Sequence, residues 1–413
     1  MRGTRGSAEG GGSTVNDTKG RAPGAPDSPD RGEPPRGGIL MGRPFGVPVY
    51  VTPSWFLVAA LITWIFGSRL AYVLPELGAT RYLLAFSFAV AFYGSVLVHE
   101  LAHTLVGLRY KLGVRRIQLQ FLGGISEIEK EADRPWREFW LALVGPLLSL
   151  VLAGIFWAGL RAVEPATVPG VLLAGLMISN LVVAAFNLLP GLPLDGGRML
   201  RAVVWAVTGN PMKGTLAAVW TGRALAIAVV LGLPVIGAAQ NAERSTGEAM
   251  LDGVLAAILG FIIWQGAGNS LRNARLKEVL PGLKVRDLAR RSIDVTADTP
   301  LGEALRRAHE AHAGALVVVD GRGEPTGLVK ESAVGKVPEH RRPWVAVSAV
   351  SRDLEPGHTI PVDLAGEQIL ETLRRAPASE YLVVRADGTV YGVLSLTDLE
   401  RRLTAAVLGR PGA

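Results

Sequence analysis

Two histidines and a glutamate interrupt an apolar stretch of the chain, in the segment "VLVHELAHTLVG". His99 and His103 are four residues apart, so on a helix their side chains share one face, and Glu100 lies beside them. Two imidazoles in this arrangement can hold one Zn²⁺, while the glutamate accepts a proton from water. The spacing therefore predicts a hydrolytic metal site on a helix.

The surroundings of this motif argue against coincidence. The chain has only 6 histidines, and the motif supplies the only charged or imidazole side chains between Leu83 and Leu108. A charged group at the centre of a membrane helix costs about 2.5–3.5 kcal/mol, and such groups are functional by default. A metal ion would give these side chains the partners that lipid cannot provide.

A third ligand has to come from elsewhere, because a catalytic zinc site usually has three protein ligands and an open position. The chain has 0 cysteines, and its other histidines (His309, His312, His340, His358) lie in a charged C-terminal part. Asp195 is the better candidate, in "FNLLPGLPLDGGRML", where prolines break the helix and glycines let backbone approach closely. The alternative for Asp195 is an N-cap of a short helix that opens at Gly196.

The elements that must position these residues are apolar segments long enough to cross a membrane. With 49% hydrophobic residues and a positive mean hydropathy, the chain is too apolar for an ordinary soluble enzyme. Crossing the bilayer takes about 20 helical residues, and the fifth and sixth candidates are short on this count. The six candidate spans are Val49–Gly67, Leu83–Gly107, Trp140–Leu160, Val171–Leu189, Ala224–Ala239 and Val254–Gly268. They predict a polytopic α-helical membrane domain over residues 41–272.

Charge sets the expected orientation. Lys and Arg are concentrated in the loops 108–139 and 190–216, which should face the cytoplasm together with both termini. We interpret the net charge of +7 as membrane topology, with no nucleic-acid partner. Residues 1–40, rich in Gly, Pro, Ser, Asp and Arg, are predicted to be a disordered tail and are too polar for a signal peptide. The composition suggests a multi-pass protein of a bacterial cell membrane.

A pattern occurs twice after residue 272. "LVVVDGRGEPTGLV" (Leu316–Val329) and "YLVVRADGTVYGVL" (Tyr381–Leu394) align without gaps. Each predicts a buried strand, a glycine turn and a second strand, preceded by an amphipathic helix, Leu301–His312 in one copy and Glu367–Arg375 in the other. We expect two βα repeats, residues 280–337 and 338–408, that form one cytoplasmic α/β module.

Taken together, the motifs resemble the site-2 protease family of intramembrane zinc metalloproteases, in the form with C-terminal cystathionine-β-synthase-type (CBS) repeats. Four motifs carry the resemblance in order: "HELAH", "FLGGIS", "GPLLS" and "NLLPGLPLDGG". It implies one zinc per chain, held by His99, His103 and Asp195, with Glu100 as the general base. This is the assignment that spacing and membrane cost favour for the first two ligands and the base.

The resemblance implies two further features of the site. Asn180, inside the fourth span, is expected to hydrogen-bond the substrate carbonyl or the oxyanion, or else to make an ordinary interhelical hydrogen bond. The turn at Gly123 and Gly124 in "FLGGISEIE" predicts a strand edge that holds an extended substrate by β-addition. Its alternative is a plain cytoplasmic hairpin.

Paired CBS repeats can bind an adenosyl nucleotide, and the resemblance places Ser395 and Asp398 of "GVLSLTDL" at its ribose. A hydroxyl and a carboxylate three residues apart can both reach a diol. The first copy has Lys330 and Ala333 at the matching places, so at most one such site is expected. The alternative is a platform that only makes a homodimer.

The sequence thus predicts a membrane-embedded zinc endopeptidase that cuts the transmembrane segment of a single-pass substrate in the lipid bilayer, near its cytoplasmic side. The resemblance implies regulated intramembrane proteolysis, for example release of anti-sigma factors or removal of signal-peptide remnants, with the CBS module regulating or dimerising the enzyme. One alternative is a nucleotide-sensing membrane regulator or transporter gated by the CBS repeats. Another is an inactive scaffold, which the presence of all four zinc-site residues disfavours.

Overall fold

The structure, a computed structural model, describes residues 37–120, 123–240 and 246–407. Most of the predicted tail, residues 1–36, lies outside the described residues, as do Phe121 and Leu122 of the "FLGGIS" motif. The first strand, β1, begins at Ile39, so the last residues of the segment assigned to the tail belong to a sheet.

Six helices in the described part of the chain are long and apolar enough to cross a membrane, as predicted. They are α1 (Pro53–Val73), α2 (Arg81–Arg109), α3 (Pro135–Leu160), α4 (Val168–Asn187), α6 (Pro211–Gln240) and α7 (Thr246–Val279), with the shorter α5 (Asp195–Thr208) between the fourth and fifth spans. Three of them begin at a proline, whose fixed φ suits the first helical turn. The doubt about the last two spans was wrong, because α6 has 30 residues and α7 has 34, both continuing into polar sequence.

A small sheet lies against α2. Its strands are β1 (Ile39–Gly42), β2 (Val49–Val51), β3 (Val114–Gln120) and β4 (Gly123–Ile128), hydrogen-bonded in that order. Val49 and Ile117 pack with Leu97 and Leu101 of α2, which anchors the sheet beside the helix that carries the two histidines. β4 pairs only with β3, so its other edge is free of a strand among the described residues.

The C-terminal module contains two sheets. The elements are α8 (Val285–Leu288), β5 (Ser292–Thr296), α9 (Leu301–Glu310), β6 (Ala315–Val319), β7 (Pro325–Val329), α10 (Glu331–Val334), β8 (Ser351–Asp353), β9 (Thr359–Pro361), α11 (Glu367–Arg375), β10 (Glu380–Val384), β11 (Val390–Ser395) and α12 (Leu396–Val407). One sheet has the order β5-β6-β7-β8 and the other β11-β10-β9. Each predicted strand–turn–strand unit is therefore present.

The two repeats pack against each other, and each contributes one element to the fold of the other. Val317 and Leu328 of the first sheet pack with Leu382 and Val393 of the second. β8 lies within residues 338–408 yet completes the first sheet, while α8, from residues 280–337, packs in the core of the second. The soluble module is consequently one folded unit, attached to the membrane helices through the continuous α7.

Candidate metal centre

The two histidines of α2 project to one buried point. His99 and His103 are 4% and 5% exposed, and their Nε2 atoms lie 3.2 Å apart. The i,i+4 spacing places the two rings one turn apart on the same helix face. Both rings thus present Nε2 to a common position.

The other ring nitrogen of each histidine is held by α3. His103 Nδ1 donates to the carbonyl oxygen of Leu141 at 2.7 Å, and His99 Nδ1 lies 2.9 Å from Ser149 Oγ. A carbonyl can only accept, so the His103 proton lies on Nδ1 and leaves the Nε2 lone pair free. Metal-binding histidines are oriented by such partners.

Asp195 comes from a distant part of the sequence to the same point. Its Oδ2 lies 3.4 Å from His99 Nε2 and 3.4 Å from His103 Nε2. Helix α5 begins at Asp195 itself, with Leu194 as the N-cap and no side-chain cap. The N-cap alternative for Asp195 is therefore wrong, since its carboxylate faces the histidines.

Close backbone packing before and after Asp195 fixes this position. A Cβ on Gly196 would lie 2.4 Å from the Leu188 carbonyl oxygen, and one on Gly197 would lie 2.2 Å from the Leu192 nitrogen. The "PGLPLDGG" segment accordingly folds back tightly on itself. Side chains larger than hydrogen have no room there, which explains the two glycines after the aspartate.

The donor set fits a tetrahedral zinc ion. Ligand atoms about 2.0–2.2 Å from such an ion lie about 3.3–3.5 Å from one another, and the three donor separations here are 3.2, 3.4 and 3.4 Å. These are also the residues that form a candidate metal group in the described chain. Gly145 of α3 keeps the space open, since a Cβ there would lie 2.2 Å from His103 Nε2.

Glu100 lies between the histidines and strand β4. It is 8% exposed, and Ser126 Oγ of β4 donates to its Oε2 at 2.7 Å. Gly124 of β4 passes so close that a Cβ would lie 2.2 Å from Glu100 Cγ. Glu100 is thereby held beside β4. The outer edge of this strand has no partner strand among the described residues.

Asn180 is buried at 2% exposure in α4, but its Nδ2 donates to the Leu176 carbonyl of its own helix at 2.9 Å. This hydrogen bond leaves the Asn180 carbonyl oxygen and one N–H for other partners.

Sequence reasoning missed four positions around the centre: Ser126, Leu141, Gly145 and Ser149. Two of them stand in "GPLLS", a motif quoted only as part of the resemblance. The signal in the sequence was a glycine, Gly145, followed one helical turn later by a hydroxyl group, that of Ser149. Leu141 acts through its backbone carbonyl, so its side chain gave no signal at all.

The CBS module places Ser395 and Asp398 close together, at the end of β11 and in the first turn of α12. Asp398 is not free, however, because Arg290 donates to both of its carboxylate oxygens and also to Glu331 at 2.8 Å. Hydrogen bonds from Arg290 hold the pKa of the Asp398 carboxyl below its usual range. A ribose at this position would have to share or displace the guanidinium.

Comparison with known proteins decides the family. The model of peptidase family M50 matches residues 87–172 and 164–231, and that of the CBS domain matches residues 285–334. A Synechocystis protein named as a zinc metalloprotease, sll0528, is 33% identical over 86% of this chain and 93% of its own length. The chain belongs to peptidase family M50.

Other relatives agree with this M50 assignment. The Mycobacterium tuberculosis protein Rip3, also named as a zinc metalloprotease, is 29% identical over 91% of this chain and 95% of its own length. A solved structure of a site-2 protease from Methanocaldococcus jannaschii aligns with 56% of this chain and 94% of that one, with 22% identity and a TM-score of 0.39. The family matches, the named metalloprotease relatives and the six apolar helices make this M50 peptidase a multi-pass membrane zinc metalloprotease with a CBS module. The transporter alternative is set aside.

Proposed function

We propose that this M50 peptidase cleaves a peptide bond within the transmembrane segment of a single-pass membrane protein, close to the cytoplasmic face. The observation that carries the proposal is the His99, His103 and Asp195 group with Glu100 beside it. The two buried histidines and Glu100 lie on α2, a helix long enough to cross the bilayer. Hydrolytic chemistry at membrane depth suits substrates that are themselves in the membrane. Anti-sigma factors anchored by one span are an example of this substrate class.

The two histidines and Asp195 would hold one Zn²⁺. Bound there, zinc polarises a peptide carbonyl and lowers the pKa of water. Glu100 takes a proton from the attacking water and delivers it to the leaving amine. Ser126 orients the Glu100 carboxylate through the 2.7 Å hydrogen bond, while Leu141 and Ser149 hold the imidazole rings. Asn180 would donate its second amide N–H to the substrate carbonyl or the oxyanion.

The substrate has to be extended before it is cut, because helical hydrogen bonds occupy its carbonyls. The free edge of β4 supports β-addition of such a segment, with Gly123 and Gly124 at the end of the strand nearest to Glu100. Glycines there keep side chains out of the space between the added strand and the base. The glycine-rich edge thus supports a substrate-binding role.

The same proposal includes the topology and the soluble module. Both termini would lie in the cytoplasm of a bacterial cell, because the loops 108–139 and 190–216 carry most of the Lys and Arg residues that flank the spans. The CBS module would regulate or dimerise the enzyme, and an adenosyl nucleotide would bind at Ser395 and Asp398.

The test compares membrane proteomes of cells that express the wild type or Glu100→Gln. We expect one or more intact single-pass proteins to accumulate with the variant, and their fragments to appear only with the wild type. Sequencing the new fragment ends locates the cleaved bond. Identical proteomes, or new ends that fall far outside transmembrane segments, would overturn the proposal.

A further inference from the structure

One arginine lies within a membrane-spanning helix without a polar partner. In the part of the chain that the structure describes, Arg223 of α6 has a buried Nε that makes no hydrogen bond. Its guanidinium carbon lies 5.1 Å from the ring centres of both Trp220 and Trp264. A cation at membrane depth is costly unless it is paired, so the chemistry that this place lacks is an anion.

An apolar groove of about 290 Å³ between α6 and α7 starts beside the same tryptophan, Trp264. Arg223, Ala226, Ile227 and Val230 share one face of α6, at helical spacing. The groove therefore begins within about one helical turn of the arginine, at Ala226 and Trp264, and follows α6 into the apolar part of the span. The rise along the α6 axis from Arg223 to Leu231, the last residue of α6 that lines the groove, is about 12 Å at 1.5 Å per residue.

The shape of the groove comes from one close approach of the two helices. A Cβ on Gly260 would lie 2.3 Å from the Val230 side chain, so α6 and α7 nearly touch at the floor. The walls are Ile227, Leu231 and Phe261, which are 51%, 64% and 63% exposed and face away from the protein. An open apolar trough on the outside of two spans faces lipid chains.

We propose that the groove between α6 and α7 binds one anionic phospholipid, whose phosphate pairs with Arg223 and whose acyl chain fills the trough. The cation has aromatic neighbours but no anionic partner, so an anion would stabilise it. The apolar trough beside it favours a lipid over a soluble phosphate. Trp220 and Trp264 flank the guanidinium as tryptophans do at the headgroup level of a bilayer. Near such a surface, one arginine strengthens anionic-lipid binding about fivefold.

Both helices that form the groove, α6 and α7, also pack closely against the loop that leads to Asp195. A Cβ on Gly222, next to Arg223, would lie 2.2 Å from the Leu192 carbonyl oxygen, and one on Gly266 of α7 would lie 2.5 Å from Pro193. A lipid that holds α6 and α7 together would stabilise this loop. The binding site itself depends on neither the substrate nor the chemistry proposed above.

The test measures lipid retained by the purified full-length protein. The protein in detergent is mixed with phosphatidylglycerol or phosphatidylcholine, and bound lipids are counted by native mass spectrometry. Arg223→Gln removes the cation, and Ile227→Trp fills the groove without altering charge. Arg272→Gln is the matched control, because Arg272 is an exposed arginine near the corresponding end of α7 that pairs with Asn269.

We expect the wild type and Arg272→Gln to retain one phosphatidylglycerol in preference to phosphatidylcholine, and Arg223→Gln and Ile227→Trp to retain at least about fivefold less. Bound lipid should also raise the Tm of the wild type but not that of Arg223→Gln. Equal retention by the wild type and Arg223→Gln would overturn the proposal. So would equal loss in Arg272→Gln, which indicates general attraction to the basic surface, or displacement of the lipid by inorganic phosphate alone.

Discussion

At the scale of single residues, the candidate metal centre depends on its polar side chains and on a glycine, Gly145, that leaves space beside them. Gly145 of α3 faces the two histidines, and a Cβ there would lie 2.2 Å from His103 Nε2 and 2.6 Å from His99 Nε2. Ser149, one turn further along α3, lies against His99. The third span therefore leaves room for the proposed metal site and orients its two histidines.

Gly145→Ala tests this requirement. The added methyl should displace the imidazoles, and a misplacement of about 1 Å can cost about 100-fold in activity. We expect zinc per chain and proteolysis to fall together, as measured by metal analysis and cleavage of a membrane substrate. Gly154→Ala, in the same helix but with nothing within 4 Å of the added Cβ, should leave both unchanged. A fully active Gly145→Ala variant would contradict the geometry.

The histidines, Glu100 and Asp195 could be nominated from the sequence because charged groups in an apolar span are costly and conspicuous. Ser126 and Ser149 stand in the motifs "FLGGIS" and "GPLLS", but a serine in a membrane protein has many uses, so its residue type alone did not assign a role. The Leu141 carbonyl belongs to the backbone, whose direction depends on how α3 packs on α2. Sequence thus predicts the donors, and packing alone decides how they are held.

At the scale of elements, strand β4 connects the base with the proposed substrate edge. Its serine holds Glu100 and its glycine touches the same side chain. Gly123 and Gly124 were predicted to form a turn, but both belong to β4, where they pair with Gln120 and Leu119. Gly124 lies beside the glutamate. Which edge of the sheet stays free depended on pairing between β2 and β3, which are far apart in sequence.

Gly124→Ala should separate the base from the metal ligands. Its Cβ would lie 2.2 Å from Glu100 Cγ, so we expect proteolysis to fall about 100-fold while zinc per chain stays at the wild-type value. Gly42→Ala in β1 of the same sheet, where the Cβ meets nothing within 4 Å, serves as the control. Wild-type turnover by Gly124→Ala would show that β4 does not constrain the base.

In the CBS module, Arg290 occupies Asp398 and would compete with the proposed nucleotide ribose for it. Partly exposed ion pairs contribute about 0–1 kcal/mol, so Arg290→Gln should bind adenosine monophosphate up to about fivefold more tightly than the wild type, and Asp398→Asn more weakly. Isothermal titration calorimetry measures both. Arg286→Gln, which breaks the neighbouring pair with Asp363, should have the affinity of the wild type. Equal affinity of Asp398→Asn and the wild type for adenosine monophosphate would show that Asp398 does not bind the nucleotide.

At the scale of the whole molecule, α7 joins the membrane domain to the soluble module. Lys277 of α7 and Arg201 of α5 both pair with Glu131, which follows β4, at 2.9 and 2.6 Å. Burial alone would raise the pKa of Glu131, but these two cations lower it. The helix that carries the CBS repeats thereby contacts the loop after β4 and is linked through Glu131 to the helix that begins at Asp195.

The proposed orientation can be tested directly because the chain has 0 cysteines. Single substitutions Ala166→Cys, in the exposed loop between α3 and α4, and Ser332→Cys, in the exposed α10, supply one thiol each. In intact cells a membrane-impermeant maleimide should label the first variant only, and both after the membrane is opened. Labelling of Ser332→Cys in intact cells would show that the C-terminal module lies outside the cytoplasm and would contradict the proposed topology.

Zinc per chain, measured on purified wild type, Glu100→Gln and Asp195→Ala, is the most direct test of the central claim that three side chains from two distant segments hold one metal ion. About one zinc is expected in the wild type and in Glu100→Gln, because the base is not a ligand. Asp195→Ala should hold much less. No zinc in the wild type, or full occupancy in Asp195→Ala, would contradict the account.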